Sequence, residues 1–480
     1  MHTLSIKRYL IFLCSCCLFV GCGNAQVSRS DNAVLTIDDS MMFVPIDSSY
    51  SFIQYDSSYL IIGTDSSYMR RFAEKWYRVL ATGEGQVNIL HLGASHVQGG
   101  TFPHRLRCNF LMPLQPYVSA RGMIFPYSAA LKCNNPYDYK VLRSRPLTLT
   151  RCVYKEPEVK LGLCGIAVTA ADEPADIGVI LNEQGIDFST NRIVLLGESH
   201  GGVEPFISLI GESGDTICVR PAETDIALRR YSYNLPDAVD SFHIILPCES
   251  GQSFAITGLY LDNGLPGISY HSIGVNGATV SDYLVKCLYF TSDLQMIHPD
   301  LVIFGIGIND ASGSNFDTVV FQLRYRQLVD SIRKVNPECA FVFVTNNDSF
   351  RRVHRKYEVN PNAELAREAF LRIGQATGGA VWDQFTVMGG LGSMDKWYAS
   401  ELAQRDRIHF TRKGYTLVGD LLSNAIFESL LQFKPDVMAK PSSTAAKPIG
   451  DKHLYKKRKK NQSDNLNNKK EDERPNYISY

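Results

Sequence analysis

Apolar positions set the rhythm of this chain, and the rhythm changes along its length. Tyr9 to Val20 is one hydrophobic run. Phe72, Trp76 and Leu80 then recur at helical spacing, which predicts an amphipathic helix over Met69–Leu80. Val87–Leu92 reads as a buried strand that ends at Gly93, where the backbone can turn sharply. Ser95 follows at once, and a helix is expected to start near Phe102. From about Arg145 to Asn263 short apolar runs recur between Gly, Asp, Asn and Pro: Val159–Val168, Ile177–Leu181, Ile193–Leu196, Pro205–Ile210, Thr216–Arg220, Asp225–Tyr233, Ser241–Pro247 and Ser253–Leu261. That spacing predicts an antiparallel β-sandwich. Strand and helix alternate again afterwards. A helix is expected near Ser281–Phe290, strands at Leu301–Ile306, Ala340–Thr345 and Gly379–Trp382, and helices over Thr318–Val335, Asn362–Gly374 and Thr411–Phe433. The expected class is α/β, with the β-rich block splitting it; a nested insertion in a surface loop costs little.

The first run is too short for a good membrane span and follows Lys7 and Arg8, so it reads as a secretion signal. It ends in Phe19-Val20-Gly21-Cys22, which resembles the lipobox of bacterial lipoproteins. The resemblance implies cleavage before Cys22, lipid on that cysteine, and a chain anchored in the cell envelope. With no acidic run after Cys22, a periplasm-facing anchor in the outer membrane is the default. Cys108, Cys133, Cys152, Cys164, Cys218, Cys248, Cys287 and Cys339 lie beyond it at wide spacings that match no metal motif. An oxidising envelope permits disulfides, and spacing does not pair these residues. Lys+Arg and Asp+Glu both number 49, which gives no support to a nucleic-acid binder. Residues 434–480 are expected to form a disordered, basic tail around Lys456–Lys460. Asp-Ser-Ser-Tyr at Asp47, Asp56 and Asp65 reads as a polar wrap, not a solenoid.

Four short motifs fall at expected strand ends: Gly93-Ala94-Ser95, Asn276-Gly277, Gly307-x-Asn309-Asp310 and Asp406-x-x-His409. Together they supply the parts of nucleophilic acyl transfer. Ser95 would attack an ester carbonyl, His409 would take and return its proton, and Asp406 would orient the imidazole. The N–H groups of Ser95 and Gly277 and the Asn309 amide would stabilise the oxyanion. Each motif alone has a plainer explanation: a turn serine, a structural histidine, Asn309 and Asp310 capping the next helix. All four in one order do not. His91, His96 and His104 have no supporting carboxylate and no clean ligand spacing, so no metal or other cofactor is expected.

In these residues the chain resembles the SGNH hydrolases, also called the GDSL family, whose four blocks contribute Ser, Gly, Asn and His. They match Ser95, Gly277, Asn309 and His409, with Asp406 in the Asp-x-x-His position. Ala94 stands where the family usually has Asp, a residue that supports the nucleophile loop. His96 and the insertion are similar to a subset typified by bacterial peptidoglycan O-acetyl esterases, which read Gly-Asp-Ser-His and carry a carbohydrate-binding-module-like sandwich between the first two blocks. The resemblance implies a flavodoxin-like three-layer α/β/α sandwich interrupted by that module. The implied order is signal peptide 1–21, tether and wrap 22–68, hydrolase 69–144, inserted sandwich 145–263, hydrolase 264–433, then the tail. It further implies a serine esterase acting on an O-acetylated glycan, peptidoglycan or another polysaccharide. The alternatives are an envelope O-acetyltransferase using the same triad, or a non-catalytic glycan-binding lipoprotein.

Overall fold

Among the described residues, buried apolar runs pair with one another. A computed structural model describes residues 42–114, 119–211, 213–354 and 356–435. The signal segment, Cys22 and most of the basic tail lie outside them. The central six-stranded sheet comprises β1 (Leu60–Ile62), β2 (Gln86–Gly93), β3 (Gly267–Gly274), β4 (Leu301–Gly305), β5 (Ala340–Val344) and β6 (Ala380–Trp382), in the order β1-β6-β5-β4-β2-β3. All neighbours are parallel except β1, which runs antiparallel to β6. Every residue of β5, Ala-Phe-Val-Phe-Val, is buried, as a strand covered on both faces requires.

Helices flank this sheet. α1 (Ser67–Thr82), the short α2 (Ser95–Gln98), α3 (Thr101–Leu111), α4 (Val280–Lys286), α5 (Phe290–Ile297), α6 (Thr318–Arg333) and α7 (Asn362–Thr377) are followed by α8 (Gln384–Val387), α9 (Met394–Ala399) and α10 (Arg412–Gln432). α1, α3 and α10 pack together, and α4, α5, α6 and α7 form a second contacting group. The helix expected near Ser281–Phe290 is two helices, broken at Cys287.

The parallel strands β2 to β6 are wound second-first-third-fourth-fifth, the flavodoxin-like order. Its reversal falls between β2 and β4. Connections leave these two strands in opposite directions and open a crevice beyond their carboxyl ends, where doubly wound sheets bind ligands.

The connection from α3 to β3 holds two antiparallel sheets. One has five strands: Thr216–Val219, Phe206–Ile210, Ser241–Leu246, Ala175–Ile180 and Lys140–Arg143, in that order. The other is seven-stranded and is centred on Thr190–His200 and Ser253–Asp262. Alternation makes the two-faced character plain: Phe242, Ile244 and Leu246 are buried while Ser241, His243 and Ile245 are not. The run Asp225–Tyr233, expected as one strand, instead contains a hairpin turn with Arg229 at φ 56° between Glu223–Asp225 and Arg230–Val239.

These sheets are fixed to the α/β core by buried polar contacts. Asp293 of α5 accepts from the Leu163 N–H at 2.9 Å and lies 3.5 Å from the Arg229 guanidinium. Arg230 donates to the Ser292 carbonyl at 2.6 Å. The strand Gly122–Ile124 pairs with Leu259–Leu261 and so extends the seven-stranded sheet.

Candidate active site

Three glycines form a row across the carboxyl end of the central sheet. Gly93 ends β2, and its register partners are Gly274 at the end of β3 and Gly305 at the end of β4. On this floor the chain turns from β2 into α2 with almost no clearance. A Cβ on Gly93 would lie 2.2 Å from Val97 Cγ2, and one on Gly274 would lie 2.5 Å from the Ala94 carbonyl oxygen. The turn is held by the Tyr283 hydroxyl, which donates to the Gly93 carbonyl at 3.1 Å, and by the Ala94 N–H, which donates to the Gly305 carbonyl at 3.4 Å. Ala94 is fully buried and offers no side-chain cap to α2.

Ser95 is the first residue of α2, so its N–H has no partner within the helix. Its Oγ lies 2.7 Å from His409 Nε2. His409 Nδ1 lies 2.7 Å from Asp406 Oδ2, and the other carboxylate oxygen accepts the N–H groups of Ile408 and His409 at 3.0 Å each. The spacing of three residues does this work: Asp406 closes a small turn on itself and meets one ring nitrogen, leaving the other for Ser95. Burial pushes the Asp406 carboxyl up, but the His409 ring and these two N–H groups outweigh it and hold the group down at about 2. Asp406 is therefore a carboxylate at neutral pH, which puts the proton on Nδ1 and leaves Nε2 free to accept from the Ser95 hydroxyl. The loop is tethered from below, because Asn347 Nδ2 donates to the Ile408 carbonyl at 3.0 Å. It then runs straight into α10, which Thr411 caps by accepting from the Gly414 N–H.

The other two motifs meet on the opposite side of Ser95. Gly277 is exposed at φ 84°, a conformation that favours glycine. Its loop is tied to α2, because the Asn276 N–H donates to Gln98 Oε1 at 2.6 Å. The Asn309 amide donates to the Ala278 carbonyl at 3.0 Å, which leaves its second N–H for another acceptor. Asp310 does not cap the helix that follows it; its carboxyl reaches back to the Val280 N–H, at 3.3 Å, at the start of α4. All four motifs thus converge at the crevice between β2 and β4.

His91, His96 and His104 do not share a site. His91 Nδ1 meets the Tyr270 hydroxyl at 2.8 Å, His104 Nε2 lies 3.3 Å from Cys108 Sγ, and His96 Nδ1 meets the Tyr415 hydroxyl at 2.8 Å. The eight cysteines from Cys108 to Cys339 are all free thiols. Sequence reasoning passed over Gln98, Asn347, Tyr415 and two of the glycines. Gly274 and Gly305 did carry a signal: each, like Gly93, ends a buried strand.

Residues 253–417 match the GDSL-like lipase/acylhydrolase family. The match begins at Ser253–Asp262, the last strand of the inserted sheets, so it spans Gly277, Asn309, Asp406 and His409 but not Ser95. No curated protein matches the chain. Among solved structures, a peptidoglycan O-acetylesterase superposes with a TM-score of 0.63 at 19% identity, covering 78% of this chain and 99% of its own. That likeness shows a shared fold across core and insertion. An acetylxylan esterase from Geobacillus stearothermophilus matches at 18% identity over 33% of this chain and 73% of its own, with a TM-score of 0.26. A family two carbohydrate esterase from Clostridium thermocellum matches at 12% identity over 54% and 93%, with a TM-score of 0.25.

Proposed function

We propose that this chain, a member of the GDSL-like lipase/acylhydrolase family through residues 253–417, is a serine esterase that removes O-acetyl groups from a polysaccharide. The observation that carries this reading is the unbroken relay of 2.7 Å contacts from Ser95 Oγ through His409 to Asp406. A relay in that geometry, beside convergent N–H donors, is suited to acyl transfer.

The steps follow from the geometry. Ser95 Oγ bonds to the acetyl carbonyl carbon while its proton passes to His409 Nε2. The carbonyl oxygen becomes an oxyanion and accepts from the N–H groups of Ser95 and Gly277 and from the Asn309 amide. Losing one such donor typically costs about 3–4 kcal/mol of transition-state stabilisation. The bond to the sugar oxygen then breaks, and that oxygen leaves with the proton from His409. Water repeats the sequence on the acetyl-enzyme, releasing acetate and restoring Ser95. Asp406 stays ionised throughout and offsets the charge of the imidazolium.

A glycan substrate is supported by the inserted block, whose Val153 Cγ1 would lie 3.9 Å from a Cβ on Gly277, and by the kind of enzyme with which the fold is shared. Peptidoglycan or another envelope or dietary polysaccharide fits this role. We place the protein on the periplasmic side of the outer membrane, held by a lipid on Cys22; this rests on the Phe19–Cys22 motif alone.

The test is acetate release from p-nitrophenyl acetate by protein starting after Cys22, beside Ser95→Ala. Turnover that vanishes in the variant is expected, followed by release of acetate from an O-acetylated polysaccharide. Equal rates in both proteins would refute the serine mechanism.

A further inference from the structure

Beneath the nucleophile turn lies a small cavity of about 30 Å³, lined by His96, Ile308, Thr345, Asn346, Gln384 and Phe410 among others. Most of its wall is apolar. Two lining residues nevertheless carry buried nitrogens with no hydrogen-bond partner among the described residues: His96 Nε2 and Asn346 Nδ2. Asn346 is more than nine-tenths buried. Its Oδ1 lies against Gly307, where an added Cβ would come within 2.9 Å.

The protonation of His96 follows from its surroundings. Burial, and then the neighbouring His409, push its pKa down to about 3, so the ring is neutral. Nδ1 sits 2.8 Å from the Tyr415 hydroxyl, which can donate or accept; we take it as the donor. An imidazole that accepts at Nδ1 carries its proton on Nε2. His96 Nε2–H and the Asn346 amide are then two donors on one cavity, and buried donors left unmet are costly. The partner they call for is a compact acceptor. A pocket of this size that presents two such donors has room for one or two water molecules.

We propose that this cavity is an ordered-water site, and that through it His96 is a positioning residue for His409. The two imidazole rings pack with centroids 5.0 Å apart and planes tilted by 41°. With Nδ1 held by Tyr415 and Nε2 held by water, His96 cannot rotate, and it gives His409 a fixed wall. It also stays uncharged while His409 carries the proton from Ser95, so no second cation forms 5.0 Å away. This rests on the assignment of His409 as the base, but the water site itself does not.

The first test uses the unaltered protein. A high-resolution crystal structure is expected to show water within hydrogen-bond distance of His96 Nε2 and Asn346 Nδ2. Imidazole nitrogen shifts are expected to report His96 as the neutral Nε2–H form across the neutral pH range. A dry cavity, or a proton on Nδ1, overturns the site whether or not the protein turns over an ester. The second test is Asn346→Leu, which puts hydrocarbon into the cavity, beside Asn346→Ser, which keeps a polar group and room for water. Asn346→Leu is expected to lower kcat on p-nitrophenyl acetate roughly 10-fold with KM unchanged, as loss of reactive geometry does. Asn346→Ser is expected to stay within about 2-fold of the original. Wild-type kcat in correctly folded Asn346→Leu overturns the positioning role.

Discussion

A single methyl group at Gly274 would sit 2.5 Å from the Ala94 carbonyl oxygen and 2.6 Å from the Gln98 nitrogen. Both atoms belong to the backbone that carries Ser95, so relief must come from moving the nucleophile. Gly274→Ala is therefore expected to cost about 1–3 kcal/mol of stability, the usual range for overpacking. It should also lower kcat/KM on p-nitrophenyl acetate by more than that loss of folded protein explains. Urea unfolding and kinetics on the same preparation check both parts. Ser95, Gly277, Asn309, Asp406 and His409 were legible from residue type, order and position at strand ends. The glycine row was not, because it exists only once β2, β3 and β4 are in register. Ala94 stood out in the sequence as a missing support, and the structure supplies other supports, Tyr283 and Gly305, from strands and helices far along the chain.

Among the elements, α4 shows how two motifs cooperate. It begins with a capping box in which Thr279 and Asp282 satisfy each other's backbone N–H groups, and the Asp310 carboxyl adds an acceptor for the Val280 N–H. Burial raises Asp310 to about 7, and the nearby Asp282 carboxylate adds to the rise while the Val280 N–H opposes it. A carboxyl raised from its ordinary 3.8 binds its proton more tightly folded than unfolded. Its contribution to stability is thus complete at low pH and is lost as pH climbs from about 4 to about 7. Asp310→Asn, which cannot ionise, is expected to flatten that part of the stability–pH curve, measured as the urea midpoint at each pH. An unchanged slope would show that another group titrates there. In the sequence, Asp310 reads as a cap for whatever follows it. That it caps a preceding helix is a fact of tertiary structure, since α4 and the end of β4 meet only in the folded sheet.

For the molecule as a whole, the question is how an inserted pair of sheets stays fixed beside a crevice. Asp293 is fully buried between the Leu163 N–H and Arg229, and the Arg229 guanidinium stacks 3.4 Å from the centre of the Tyr289 ring. Removing one member strands the other charge. Asp293→Ala is expected to cost about 3–5 kcal/mol by leaving Arg229 buried and unpaired. Chemical unfolding followed by circular dichroism measures it, and a loss below about 1 kcal/mol would mean that Arg229 finds solvent or another partner. Alternation along the chain announced the β-rich block and most of its strands. It did not announce which strand joins which sheet, nor Gly122–Ile124, whose three residues are all buried and show no alternation. Pairings between distant segments leave little trace in local pattern.

Ser95 and His409 are separated by 314 residues, and the whole of both inserted sheets lies between them. The nucleophile therefore emerges early during synthesis and has no base until nearly all of the hydrolase has followed. Contacts this distant close late, after loop-closure entropy has been met by the intervening structure. An unfinished or misfolded chain holds a serine that is chemically idle. In refolding from urea, ester turnover should be the last signal to return, behind helix content and burial of the tryptophans. Catalysis would then serve as a built-in reporter of completed assembly.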